Sequence, residues 1–181
     1  MFSTTVSIRK SFTDYQPRKI ANLRLIGCIG NFFEIKDHMT LMKAVYELKC
    51  RGIKDIEVRL IGSGPTMASC KKYIAEHGLD KMVVFEKEVD HRQLNEFYNS
   101  LDLFVLPSYY EAFGCVYTEA MQTGVPIVAV KNQGIEEVLK EKDKKLSLIS
   151  KGDYRHMADL TEFRYNYRSK LVKYIIYIKQ F

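Results

Sequence analysis

The sequence lacks the patterns that mark a metal site or a disulfide framework. Its four cysteines, Cys28, Cys50, Cys70 and Cys115, are widely spaced and form no Cys-x-x-Cys pair. They sit within apolar or helical patterns, which fits reduced thiols in a cytosolic protein better than a disulfide frame or a zinc site. The four histidines, His38, His77, His91 and His156, are scattered too, with no pair at the helical spacing of metal ligands. No metal is expected. No apolar run has membrane-spanning length and no secretory hydrophobic region stands near the start, so the expectation is a chain made and kept in the cytosol. No Gly-x-x-x-x-Gly-Lys-Ser/Thr phosphate loop occurs either.

What is present is a soluble, globular composition, 46% hydrophobic and 28% charged over 181 residues, enough to enclose one full core. The net charge of +6 is carried by the ends. Residues 1–24 hold five Lys/Arg against one acid and residues 154–181 hold six against two, which leaves the middle slightly acidic. Basic ends around such a middle fit a membrane surface or a partner domain at least as well as a nucleic-acid groove, and solvated charge without a function is an equal reading. No nucleic-acid partner is assigned.

Residues 1–22 are polar and basic without a period and read as an arm or linker remnant. From Leu23 the chain alternates short apolar runs with helical patterns. Strands are expected at Leu23–Ile29, Ile56–Ile61, Met82–Phe85, Leu103–Leu106 and Ile127–Val130, with a sixth at Leu146–Ile149. Between them fall helices over His38–Arg51, from Met67 to Gly78, after Asp90 as a cap, and over Ile135–Lys140, while Lys140–Lys145 reads as a solvated charge run in a surface turn. This rhythm predicts an α/β domain over residues 23–152, a doubly wound, Rossmann-like parallel sheet of about six strands with helices on both faces. Residues 153–181 follow as a basic amphipathic helix with Asp153 as its N-cap. Leu160, Phe163, Tyr167, Leu171, Ile175 and Ile178 share a face, with Arg155, Arg164, Arg168, Lys170 and Lys173 among them. Packing on a protein domain and peripheral contact with an anionic membrane are its two readings.

Ligands of such sheets bind beyond the carboxyl ends of the strands, so the loops there carry the function. Gly62-Ser-Gly64-Pro65-Thr66-Met67 invites a dinucleotide reading, but Met67 stands where the third glycine should be and no acid stands out as the ribose partner. A tight structural turn is the better account, and a nicotinamide-dependent oxidoreductase is disfavoured. The stretch Ser108-Tyr-Tyr-Glu-Ala-Phe-Gly-Cys-Val-Tyr-Thr-Glu-Ala-Met-Gln-Thr-Gly124 is more informative. It reads as strand end, loop and helix, and a helix start offers unpaired N–H donors and partial positive charge to an anion such as a diphosphate. Glu111 in the loop and Glu119, expected about two turns into the helix, would repel that anion. They are better placed to accept hydrogen bonds from hydroxyls on either side of it, so the suggested ligand runs sugar, phosphate, ribose.

Together the loops are more specific than any one of them. The order Gly30…Lys36, Gly62-x-Gly-Pro65, Leu103-Phe-Val-Leu-Pro-Ser108, Glu111-Ala-Phe-Gly-x-Val-x-x-Glu119-Ala-Met, Gly124-x-Pro-x-Val128 and Gly134-x-x-Glu137 resembles the C-terminal, donor-binding domain of retaining family 4 glycosyltransferases, which have the two-domain GT-B architecture. The resemblance runs from about Leu23 to Ser150. It implies a hexosyltransferase of polysaccharide or lipid-linked glycan synthesis, moving a sugar from a nucleoside diphosphate to an acceptor with retention and without a metal or other cofactor. By the same resemblance Glu111 contacts the donor sugar and Glu119 the ribose, while the amides of Phe113, Gly114, Val116 and Tyr117, around Cys115, approach sugar and diphosphate. Lys36 neutralises the leaving diphosphate, and Glu111 and Lys36 are the catalytic candidates. Gly30, Asn31 and Gly62 complete the donor site.

Three positions depart from the family pattern. Asn31 stands where a cation usually follows the first-loop glycine, Phe85-Glu-Lys-Glu-Val89 lacks the usual glycine, and Gln133-Gly134 replaces a Gly-Gly pair. The family also has a preceding acceptor domain of similar size, where only some 22 residues precede the first strand here. The expectation is therefore a truncated chain or one that works with a separate N-terminal domain at a glycan or lipid-linked acceptor, in the cytosol or at the inner membrane face. The competing expectation is a non-catalytic nucleotide-sugar-binding or interaction module. A third, a GT-B-like epimerase, is disfavoured by the E-x7-E context.

Overall fold

The computed structural model describes residues 24–86, 90–111 and 114–178, with residues 91, 92 and 167–178 described by backbone alone. The strands are β1 Leu25–Ile29, β2 Glu57–Ile61, β3 Val83–Glu86, β4 Leu103–Val105, β5 Ile127–Val130 and β6 Leu148–Ile149. The helices are α1 His38–Cys50, α2 Met67–Glu76, α3 His91–Ser100, α4 Cys115–Gln122, α5 Ile135–Val138, α6 Glu141–Ser147 and α7 Tyr154–Ile178, with a 3₁₀ turn over Glu34–Lys36. Every strand pairs in parallel with its neighbours, in the order β3-β2-β1-β4-β5-β6. Central strands of such a sheet are covered twice, and β4 and β5 are buried at every residue. Right-handed crossovers place helices on both faces.

The expected strands and helices are all present, with ends shifted by one or two residues. Two stretches differ. Residues 141–147 form α6 instead of a surface turn, because Lys140 opens a helix with Glu141 and Asp143 in its first turn and Lys144 and Lys145 in its last, the arrangement that complements the helix dipole. This helix consumes the first half of the expected sixth strand and leaves β6 only two residues.

Caps hold as expected at two helices. Asp90 and Gln93 exchange bonds at the start of α3, Gln93 N–H to Asp90 Oδ1 at 3.3 Å and Asp90 N–H to Gln93 Oε1 at 3.1 Å. Asp153 Oδ1 accepts the His156 N–H at 3.0 Å ahead of α7. The first half of α7 packs on α1, burying Met157, Ala158 and Leu160. Arg51, the C-cap of α1, reaches across with Nη1 2.7 Å from both Asp159 and Glu162.

Arg164, one of the basic residues of the amphipathic helix, does not face solvent. It is buried, donating Nη1 to the Leu160 carbonyl at 3.0 Å and Nη2 to the Leu146 carbonyl, and burial lowers its pKa to about 10. The arm at residues 1–22 and the side chains of Tyr167, Arg168, Lys170, Leu171, Lys173, Ile175 and Ile178 lie outside the described residues. Among the described residues no helix is long and apolar enough to cross a membrane.

Candidate functional site

The strand order reverses between β1 and β4, which opens a crevice beyond the carboxyl ends of those two strands. Two loops border it, residues 30–37 after β1 and residues 106–111 after β4. They are stitched together at one carbonyl, since Ile35 O accepts the Tyr109 N–H at 3.0 Å and the Ser108 hydroxyl at 3.2 Å.

The β1 loop is held from beneath by the loop after β2. Gly30 N–H donates to Ile61 O at 2.9 Å, Phe32 N–H to Ser63 O at 2.8 Å, and Thr66 Oγ1 to Phe32 O at 2.7 Å. Gly62 makes this close approach with φ +140°, where a Cβ would sit 2.2 Å from the Gly30 oxygen. The described position of Gly62 is thus backbone against backbone, beside Gly30. Asn31 is exposed, its carbonyl accepting the Phe33 N–H at 2.8 Å.

Across the crevice Lys36 and Glu111 meet. Lys36 rises from the 3₁₀ turn, and its Nζ forms a short ion-paired hydrogen bond with Glu111 Oε2. The two side chains are only 20% and 18% exposed, so the pair is largely removed from water. Glu111 is fixed from behind as well: its N–H donates to Gln133 Oε1 at 2.7 Å, and Gln133 Nε2 donates to Asn132 O at 2.8 Å. One of the two residues that replace the family's Gly-Gly pair therefore braces the loop that carries Glu111.

The helix that follows begins later than expected. Gly114 is its N-cap with φ +64°, and a Cβ there would lie 2.6 Å from the Tyr117 ring and 2.9 Å from Glu111 Cγ. Cys115 and Val116 are the first two helical residues, whose N–H groups have no partner within the helix. The Tyr117 N–H is already bonded to Gly114 O at 2.9 Å, while its buried hydroxyl donates to Leu106 O at 2.7 Å and ties α4 to the end of β4. Glu119 is the fifth residue of α4, one turn in and not two. Its Oε2 accepts the Tyr98 hydroxyl at 2.8 Å. Phe113 lies outside the described residues.

Three features of the site were not singled out by sequence reasoning: the Tyr98 hydroxyl, the Gln133 brace and His38. A tyrosine on the apolar face of a helix needs an acceptor for its hydroxyl, and that need is the signal the sequence offers. His38 is 2% exposed and stacks on Phe32 with ring centroids 4.0 Å apart. Neither ring nitrogen meets a partner at hydrogen-bonding geometry among the described residues. Burial, offset in part by the nearby Gly30 backbone and reinforced by Lys36, lowers its pKa to about 4. Among the described residues no three His, Cys, Asp or Glu side chains are gathered to hold a metal.

The six-stranded parallel sheet with its helical connections defines a Rossmann-like α/β domain. Residues 11–180 match the family model described as glycosyl transferases group 1, and the chain belongs to that family. Its fold is that of the C-terminal domain of a GT-B glycosyltransferase. The chain superposes with a TM-score of 0.68 on the C-terminal domain of a group 1 glycosyl transferase from Francisella tularensis, at 24% identity over 77% of this chain and 74% of that one. The catalytic domain of a cholesterol-α-glucosyltransferase from Helicobacter pylori gives 0.71 at 19% identity, covering 81% and 89%. Anabaena HepE, solved with UDP and glucose, gives 0.68 at 21% identity, covering 78% and 38%. Among curated relatives, the lipopolysaccharide core biosynthesis mannosyltransferase LpsB of Rhizobium meliloti is 31% identical over 141 residues, 75% of this chain and 40% of its own length. A D-inositol 3-phosphate glycosyltransferase of an Arthrobacter species is 32% identical over 113 residues, 61% of this chain and 27% of its own length. The chain thus spans well under half the length of either relative.

Proposed function

We propose that this domain binds a nucleoside diphosphate sugar in the β1/β4 crevice and supplies its sugar, with retention as in family 4, to a glycan or lipid-linked acceptor. The observation that carries the proposal is the Lys36–Glu111 pair, set at the strand-order reversal in line with the start of α4. In this reading Lys36 turns from Glu111 to the diphosphate and neutralises it as it leaves, so the charge of the leaving group is met by an ammonium and no metal is called on. Glu111, released, accepts hydrogen bonds from the sugar. The N–H groups of Gly114, Cys115 and Val116 face the phosphates, and Glu119 takes the ribose. Gly30, Asn31 and Gly62 form the floor.

The acceptor is assigned to a second, N-terminal domain that closes over the crevice. Phe33, Ile35 and Tyr110 support this, because they are exposed at 48%, 38% and 75% on the two loops bordering the site. The proposed location is the cytoplasm, with α7 as the element for peripheral contact at the inner membrane face. LpsB and the other named glycosyltransferases among the relatives favour transfer over a binding-only role.

Titration calorimetry with uridine, guanosine and adenosine diphosphates tests the reading. One of them is expected to bind, and Glu119→Ala to weaken it by about 0.5–1.5 kcal/mol, the range of a hydroxyl contact. Lys36→Ala is expected to weaken the diphosphate much more than the monophosphate. Silence across the panel leaves the non-catalytic module, and equal losses for mono- and diphosphate remove Lys36 from the phosphate site.

A further inference from the structure

A buried hydroxyl must find an acceptor, and Tyr98 has found one inside the site. Tyr98 is fully buried on α3. Its ring stands 5.6 Å from Phe104 of β4 at 62° and 6.1 Å from Phe97 at 68°. Phe104 in turn meets Tyr117 of α4 edge-on at 5.9 Å and 84°. This aromatic row packs around the Tyr98 ring, and the hydroxyl donates to Glu119 Oε2 at 2.8 Å. Burial, and after it the charge of Glu119, push the phenol pKa well above its ordinary value, so the group keeps its proton and faces the carboxylate as a donor.

We infer that Tyr98 is a positioning residue that fixes Glu119 Oε2, holding Oε1 out as a preset acceptor for a ribose hydroxyl, so that the site selects ribonucleotides over their 2′-deoxy counterparts. The inference rests on the assignment of Glu119 to the ribose. A half-buried glutamate with no tether swings toward water and must be ordered when ligand arrives, whereas a tethered one is already in place. A deoxy ligand then leaves that acceptor desolvated and unpaired, which is where the discrimination arises.

The test titrates the full chain with the best-binding ribonucleoside diphosphate of the three and with its 2′-deoxy analogue. Wild type, Tyr98→Phe, Glu119→Ala and the double variant are compared, each checked for folding by its thermal midpoint. The wild type is expected to prefer the ribo form by about tenfold. Tyr98→Phe brings that ratio to about two or below, and in the Glu119→Ala background it changes the ratio no further. Should Tyr98→Phe fail to fold, Glu119→Asp draws the carboxylate back from Tyr98 by one methylene at a half-buried position and must give the same collapse. A folded Tyr98→Phe or Glu119→Asp protein that keeps the wild-type ratio overturns the inference and leaves the nucleotide site standing. A wild type that binds none of the diphosphates, or binds ribo and deoxy forms equally, overturns the ribose assignment itself and the inference with it.

Discussion

Replacing Glu111 with Gln separates the charge of the crevice from its shape. In this structure Glu111 is ion-paired with Lys36. A nucleoside diphosphate must therefore take the ammonium from a carboxylate and approach that carboxylate at the same time. Two unit charges 4 Å apart interact by about 4 kcal/mol at an effective dielectric of about 20. With the side chains 20% and 18% exposed, solvent and salt reduce the net effect to about 1–2 kcal/mol. Glu111→Gln is thus expected to tighten nucleoside diphosphate binding by about 5- to 30-fold. Hydrolysis or transfer from the nucleotide sugar is expected to fall in the same variant, because the proposed function also assigns Glu111 to the sugar. Calorimetry at low and physiological salt, run beside a donor-turnover assay, reads both effects, and the tightening shrinks as salt rises. Equal weakening of the free diphosphate and the nucleotide sugar would refute the competition for Lys36.

Two further outcomes follow from the loops beneath the site. Gly62→Ala forces a side chain into φ +140° and against the Gly30 oxygen; the cost is about 2–4 kcal/mol in urea unfolding, and an unchanged midpoint would show that the β1 and β2 loops are not in contact. His38 makes stability depend on pH, because its folded pKa of about 4 lies below the unfolded value near 6.5. The unfolded chain takes up this proton first, so stability falls by up to about 3 kcal/mol as pH drops through that window and is fully present above it. His38→Phe keeps the stack on Phe32 and removes this share of the slope, and parallel pH profiles for the two proteins would place the dependence elsewhere.

The fold was legible because a parallel sheet announces itself. Runs such as Leu103–Leu106 and Ile127–Val130 are apolar throughout, and a strand covered on both faces has no other way to be written. Helix ends carrying a cap, Asp90 and Asp153, were read correctly for the same local reason. The charge run from Lys140 to Lys145 misled because exposed helix and exposed turn share a composition, and only the order of the charges along it, acids first, separates them. Glu111, Glu119 and Lys36 could be singled out from their loops. The partners of the two glutamates could not, since Tyr98 and Gln133 stand 21 and 22 residues away from them in the chain.

The strand-order reversal that opens the crevice also has a kinetic side. At its base the Asp102 carboxylate accepts the Arg24 and Leu25 N–H groups at 2.8 and 2.9 Å across 78 and 77 residues of chain. Pairing of β1 with β2 closes a much shorter loop, so loop-closure entropy predicts that β4 joins the sheet after that pair has formed. The crevice exists only once that long loop has closed. If the proposed nucleotide site is correct, recovery of nucleotide binding during refolding is expected to time the closure of this long-range pairing.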